Sequence, residues 1–263
     1  MRSFFLGLVL GAILAVLAVR SFQPGGRTQA SLQSGSATAG ADLSGVWRRH
    51  SPPGGGAFGY ADETHGEELP MQPWARERYM ANWKGTFIPN ERAPEEFDPN
   101  LYPFCMPAGM PRAYSHPYHV EIIQVPGRVY MLFELNSMIR RIYTDGRSLP
   151  EGAPLSFMGH SVGRWDGDTL IVDTIDMNEA TWLDRLGHPH TDALRVEERI
   201  RRVEHGTIEI DFRFEDPKAY TRPWTGKQVM EWKPNYEMID QIICEDRLQG
   251  DFTEKVLGGK TEP

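Results

Sequence analysis

The sequence predicts an all-β protein: an antiparallel meander closed into a barrel, preceded by a short helix and a loop-rich region. Three observations carry this prediction. Tight-turn dipeptides recur at Pro126-Gly127, Asp166-Gly167 and His205-Gly206, each between runs rich in Val, Ile, Phe and Tyr. Helix-length apolar patterns are scarce beyond residue 115, so crossover helices are not expected between the strands. Consecutive hairpins bury one face and remove their exposed edges by closing on themselves.

The chain opens with Met1-Arg2 and an apolar run from Phe4 to Val19, stopped by Arg20. The run fits a signal-peptide core and is short of the ~20 residues of a membrane span. Residues 1–22 are therefore read either as a signal peptide or as an uncleaved N-terminal membrane anchor. Both readings export the rest of the chain, as a periplasmic protein or one anchored facing the periplasm, with membrane contact only through this segment. Residues 23–41 are Gly, Ser, Ala, Thr and Gln with little to bury, which is linker composition. The remainder, 42–263, is expected to be a single β-barrel domain.

Within that domain Asp42 to Trp47 reads as a first strand. Glycines and prolines from His50 to Gly59 break regular structure. Pro73 to Trp83 is the best helix, with Pro73 in its first turn and Gly85 just past its end. A proline-rich passage follows to Ser115. The Pro126-Gly127 turn then sets Ile122 opposite Met131 and Val120 opposite Phe133 on an apolar face, with His119 opposite Glu134 on the other. The Asp166-Gly167 turn sets Val162 opposite Ile171 and His160 opposite Asp173. The His205-Gly206 turn pairs Arg202 with Glu209 and Glu198 with Arg213 as a solvent face. Ile208, Ile210, Phe212 and Phe214 then form the inner face, and they draw Glu197 and Arg199 inside with them.

The formal charge of −8 argues against nucleic-acid partners, which select a basic stripe. Cys105 and Cys244, the only cysteines, are expected to form a disulfide in an exported chain; two buried free thiols are the alternative. Dinucleotide, phosphate-loop and haem motifs are missing from the sequence, which disfavours redox cofactors.

The Gly45-x-Trp47 opening followed by a β meander resembles the lipocalin-like barrels. CMPAGMPR (Cys105 to Arg112), RRIYTDGR (Arg140 to Arg147), GHSVGRWDGDTLIVDT (Gly159 to Thr174) and DPKAYTRPWT (Asp216 to Thr225) together resemble a widespread family of exported bacterial proteins without a settled activity. The resemblance spans roughly residues 42 to 250 and implies the fold and export. It carries over no catalytic residue, because lipocalin-like barrels include plain carriers and cofactor-free enzymes alike.

The chemistry therefore rests on individual residues. His160 with Asp173 is the sharpest pair: a carboxylate on one imidazole nitrogen raises the basicity of the other, as a general base requires. Ser161 points to the opposite strand face and is not its nucleophile. His119 with Glu134 is the analogous pair in the first hairpin, read mainly as a satisfied polar contact. Arg199, paired with Glu197, is expected to hold a ligand oxygen, with Arg141 as a second donor and Phe212 and Phe214 as the apolar wall. His188-Pro189-His190, joined by His160 or Asp192, is the minority candidate for a divalent metal. The expected function is cofactor-independent acid/base chemistry, of lyase, isomerase or hydratase type, on a small, largely apolar molecule inside the barrel. The alternatives are a lipocalin-like binding protein with the same cavity and a His-ligated metal enzyme.

Overall fold

The computed structural model describes residues 41–50, 69–87 and 107–239, apart from Arg185 and the side chains of residues 83–87. The N-terminal segment, nearly all of the linker and both cysteines lie outside these residues.

Nine strands close into a barrel in sequence order. They are β1 (Gly45–Arg49), β2 (His119–Val125), β3 (Arg128–Phe133), β4 (Met138–Tyr143), β5 (His160–Asp166), β6 (Thr169–Ile175), β7 (Arg195–Glu204), β8 (Thr207–Glu215) and β9 (Trp224–Trp232). β9 pairs back onto β1, with Arg49 opposite Met230. Neighbours run antiparallel except β4 and β5, which are parallel over only two pairs, Ile142 with Ser161 and Tyr143 with Val162. A tight turn cannot join parallel strands, so residues 144–159 make the crossover and the meander is interrupted here.

The first hairpin has the predicted register, with Val120 opposite Phe133 and Ile122 opposite Met131. Gly127 has φ +75°, the left-handed third position of a type II turn after proline. The second hairpin turns one residue later than expected. Gly167 and Asp168 form the loop between Asp166 and Thr169, with Gly167 at φ +59°. Glycine at the first central position is what a type II′ turn needs. Each partner therefore moves by two: Val162 faces Asp173, and His160 faces Ile175. The third hairpin turns at His205-Gly206 as predicted, but a bulge between Arg202 and Glu204 shifts the ladder by one residue. A shift of one exchanges the faces of a strand.

That exchange has an energetic reason. With the bulge, Val196 and Ile200 come inside opposite Phe214 and Ile210, and all four are buried. Without it, Glu197 and Arg199 would occupy those inner positions at the desolvation cost of two charges. The outer face instead carries ion pairs such as Arg201–Glu209 at 2.9 Å and Lys227–Glu209 at 3.0 Å.

The helix, α1 (Pro73–Phe87), starts at Pro73 as predicted and continues through Gly85. It docks on the loops after β6 and β8: Trp74 Nε1 donates to Lys218 O (2.9 Å) and Asn82 Nδ2 to Gly187 O (2.8 Å). At the same end a 3-10 turn, Arg112–Ser115, is buried throughout. Gln228 Nε2 donates to Tyr114 O (2.7 Å) and Arg49 Nη1 to Ser115 O (2.8 Å), which ties the turn into the mouth. At the other end Trp47 is fully buried, with the Arg202 guanidinium 5.2 Å from its ring centroid.

Candidate functional site

The barrel interior, where a ligand was expected, holds side chains. Arg140 on β4 and Glu198 on β7 point inward and form a doubly hydrogen-bonded ion pair. Arg140 also donates from Nη1 to the Tyr114 hydroxyl (2.9 Å), from Nη2 to Thr174 Oγ1 (2.8 Å) and from Nε to Ser161 Oγ (3.2 Å). All five side chains are essentially inaccessible to solvent. Burial works against the Arg140 charge, but Glu198 and Tyr114 outweigh it and hold the guanidinium above its ordinary value. Burial, helped by the nearby Glu198 charge, pushes the Tyr114 phenol well above its usual range. A network this well satisfied binds its own members rather than a ligand.

Several predicted site residues are placed elsewhere. Asp173 accepts from Arg195 (Nη2, 2.8 Å) and not from His160. His160 faces outward on β5, and its Nε2 lies 3.1 Å from the carbonyl of Pro154. The two-residue displacement of the hairpin partners accounts for the lost pair. Arg199 is exposed, with its nearest carboxylate, Asp166, at 3.9 Å. Glu197 is on the outer face as well, because of the bulge. Phe212 and Phe214 do face inward, as predicted, but they pack on each other at 5.6 Å and on Tyr114 and Trp224, so they are core and not a ligand wall.

His119 and Glu134 are brought together as predicted, with Nδ1 and Oε2 2.9 Å apart. They are covered, however, by the segment after β9. Tyr236 stacks on the His119 ring at 3.5 Å, and Ile239 N donates to Glu134 Oε1 (3.3 Å). Burial works against the Glu134 charge, yet hydrogen bonds from His119, Tyr236 and Ile239 prevail and hold its carboxyl below the usual range. A second hollow of about 250 Å³, lined by Glu121, Leu132, Met138 and Met238, lies beside this clasp.

His188 and His190 are both buried and engaged. His188 Nδ1 is 2.8 Å from Asp184 Oδ2, and His190 Nδ1 is 3.1 Å from Thr191 O. Asp192 pairs with Lys218 at 2.5 Å. No three metal-donor side chains converge among the described residues.

A larger cleft lies on the outer side of the β4–β5 seam, where the strands pair so briefly. It encloses about 580 Å³ and is lined by Ile139, Arg141 and Tyr143 of β4, by Phe157 and Met158 of the crossover, and by His160 and Val162 of β5. Gly159 turns the crossover into β5 at φ +63°, and a Cβ there would lie 2.6 Å from the Ile175 carbonyl. Only glycine fits this position, and it aims His160 outward. Arg141 and His160 precede the in-register pair Ile142–Ser161 and so flank the seam side by side on the same face. On the rim, Arg147 lies flat over the Tyr143 ring at 3.8 Å and is held by Asp145 at 2.6 Å. Arg141 is exposed and has no ion-pair partner among the described residues.

Sequence comparison adds little to this. No family model matches the chain and no curated protein matches it. The likeness to an exported bacterial family therefore rests on its motifs alone. Among solved structures, an abundant heat soluble (SAHS) protein from Ramazzottius varieornatus is similar to this chain at 8% identity and a TM-score of 0.33, covering 74% of this chain and 98% of that one. The fold is established by the closed strand order itself: a nine-stranded β-barrel, antiparallel except between β4 and β5.

Of the predicted ligand residues, Arg141 and His160 meet in one cleft, and the rest do not join them. Arg140 and Glu198 are the important residues that sequence reasoning missed. Their signal is faint but present: in Met138–Tyr143 the positions alternating with Ile142 are Arg140 and Met138, so Arg140 must share their inward face.

Proposed function

We propose that the protein binds a small, largely apolar molecule carrying one anionic group in the cleft at the β4–β5 seam. Arg141 carries the reading. Arg195, Arg201 and Arg213 each sit within 2.9 Å of a carboxylate, whereas Arg141, like Arg164, has no ion-pair partner among the described residues. What sets Arg141 apart is its place at the edge of an apolar recess, where a ligand anion gains a charge-assisted hydrogen bond. The volume lies within the roughly 300–1,000 Å³ of small-molecule sites, and Ile139, Phe157 and Met158 supply the apolar wall.

No carboxylate among the described residues stands behind His160, so the proposed role is binding, with no chemical step assigned to the cleft. The proposed setting is the periplasm or the membrane surface facing it, and this rests on the apolar run from Phe4 to Val19.

The test uses 1-anilinonaphthalene-8-sulfonate, a fluorescent apolar anion, titrated into the full chain. One equivalent should bind with enhanced emission, and Arg141→Ala should weaken it about tenfold or more, the loss of one charge-assisted bond. Unchanged binding by Arg141→Ala sinks the proposal.

A further inference from the structure

Resting on that cleft, we propose that its ligand is a 2-hydroxy carboxylate with an apolar, preferably aromatic, body, and that His160 reads the hydroxyl. The geometry of His160 carries this. Its Nε2 is 3.1 Å from the Pro154 carbonyl oxygen, which can only accept, so Nε2 carries the proton. In the neutral ring Nδ1 is then a bare acceptor, and no protein group among the described residues bonds to it. A carboxylate gains nothing from a lone pair, whereas a ligand O–H does.

Arg141 supplies the complementary half. It offers five donors and no acceptor, and so takes the carboxylate. The two side chains leave neighbouring strands in register at the seam, with backbones about 4.8 Å apart. Acid and hydroxyl are therefore placed close together on the ligand, as on adjoining carbons, and not at its two ends. Beyond this polar edge the wall includes Phe157 and Met158, a ring and a polarisable thioether, a surface suited to a flat aromatic group. Pro154 belongs to the crossover that also forms the wall, so one loop both closes the recess and sets the tautomer of its acceptor.

The experiment compares mandelate, phenylacetate and O-methylmandelate by calorimetry on the full chain, with 1-anilinonaphthalene-8-sulfonate displacement as a second readout. Mandelate should bind about five- to tenfold more tightly than the other two, the worth of one neutral hydrogen bond. His160→Ala should abolish that preference, bringing the affinity for mandelate level with that for phenylacetate, and Arg141→Ala should weaken all three. Equal binding of the three acids, alongside Arg141-dependent dye binding, overturns the hydroxyl reading and leaves the cleft standing. Dye binding indifferent to Arg141→Ala removes both. A mandelate preference that survives His160→Ala also overturns the role given to His160.

Discussion

Arg140 and Glu198 set the character of the barrel interior. Each is a full charge with no route to water, and each is tolerable only because the other is present. Removing one partner strands the second, which costs about 3–5 kcal/mol, whereas replacing both by apolar side chains of similar size is often neutral or stabilising. Arg140→Met and Glu198→Leu are each expected to lower the unfolding free energy by that order in equilibrium denaturation. The double variant should recover most of the loss. A double variant as unstable as the sum of the singles would show that Tyr114, Thr174 and Ser161 depend on the guanidinium for their own hydrogen bonds. His160 behaves oppositely: it borders solvent on an outer strand face, and its substitution should alter ligand binding and leave the melt in place.

The β7–β8 hairpin shows how one residue decides what a strand presents. Both its turn and its apolar strand are visible in the sequence, since Ile208, Ile210, Phe212 and Phe214 alternate without a break. The bulge at Val203 is not, because nothing local demands it. It arises from farther back along the same strand, where Val196 and Ile200 gain burial only if the ladder slips by one. Val203 itself is exposed, so Val203→Ala should change stability by no more than about 0.5 kcal/mol. Deleting Val203 should be far worse, because it returns Glu197 and Arg199 to the inner face. Comparable melts for the two variants would refute the assignment of the bulge. The β5–β6 hairpin carries a milder version of the same lesson. A turn displaced by one position moves each cross-strand partner by two and separates His160 from Asp173.

The barrel closes through β1 and β9, and the chain beyond β9 folds back to clasp β2 and β3 at Glu134. That clasp is pH-sensitive in a definite direction. The Glu134 carboxyl is held below its ordinary value by hydrogen bonds made to its ionised form. Its contribution is therefore complete above the unfolded glutamate value, about 4.3, and is lost as pH falls through the lower folded value. On acidification below pH 4 the Tyr236 ring resonances, displaced by stacking on His119 at 3.5 Å, should move toward those of free tyrosine. Glu134→Gln should show the freed position already at neutral pH. A Tyr236 signal insensitive to both changes would mean that stacking alone secures the segment.

The sequence by itself determined the all-β class, the meander apart from the parallel β4–β5 step, the helix start at Pro73, the first hairpin with its His119–Glu134 contact, and the loops at all three turns to within one residue. These follow from local chemistry: turn residues that need a particular φ, and apolar alternation with a period of two. Tertiary structure alone decided which inward charge finds a partner. Arg140 and Glu198 are far apart in sequence, and neither would be buried without the other. It also decided where the cleft lies. The recess exists because β4 and β5 run parallel for only two pairs and a loop must cross between them, and a strand's own residues carry no record of the direction of its neighbour.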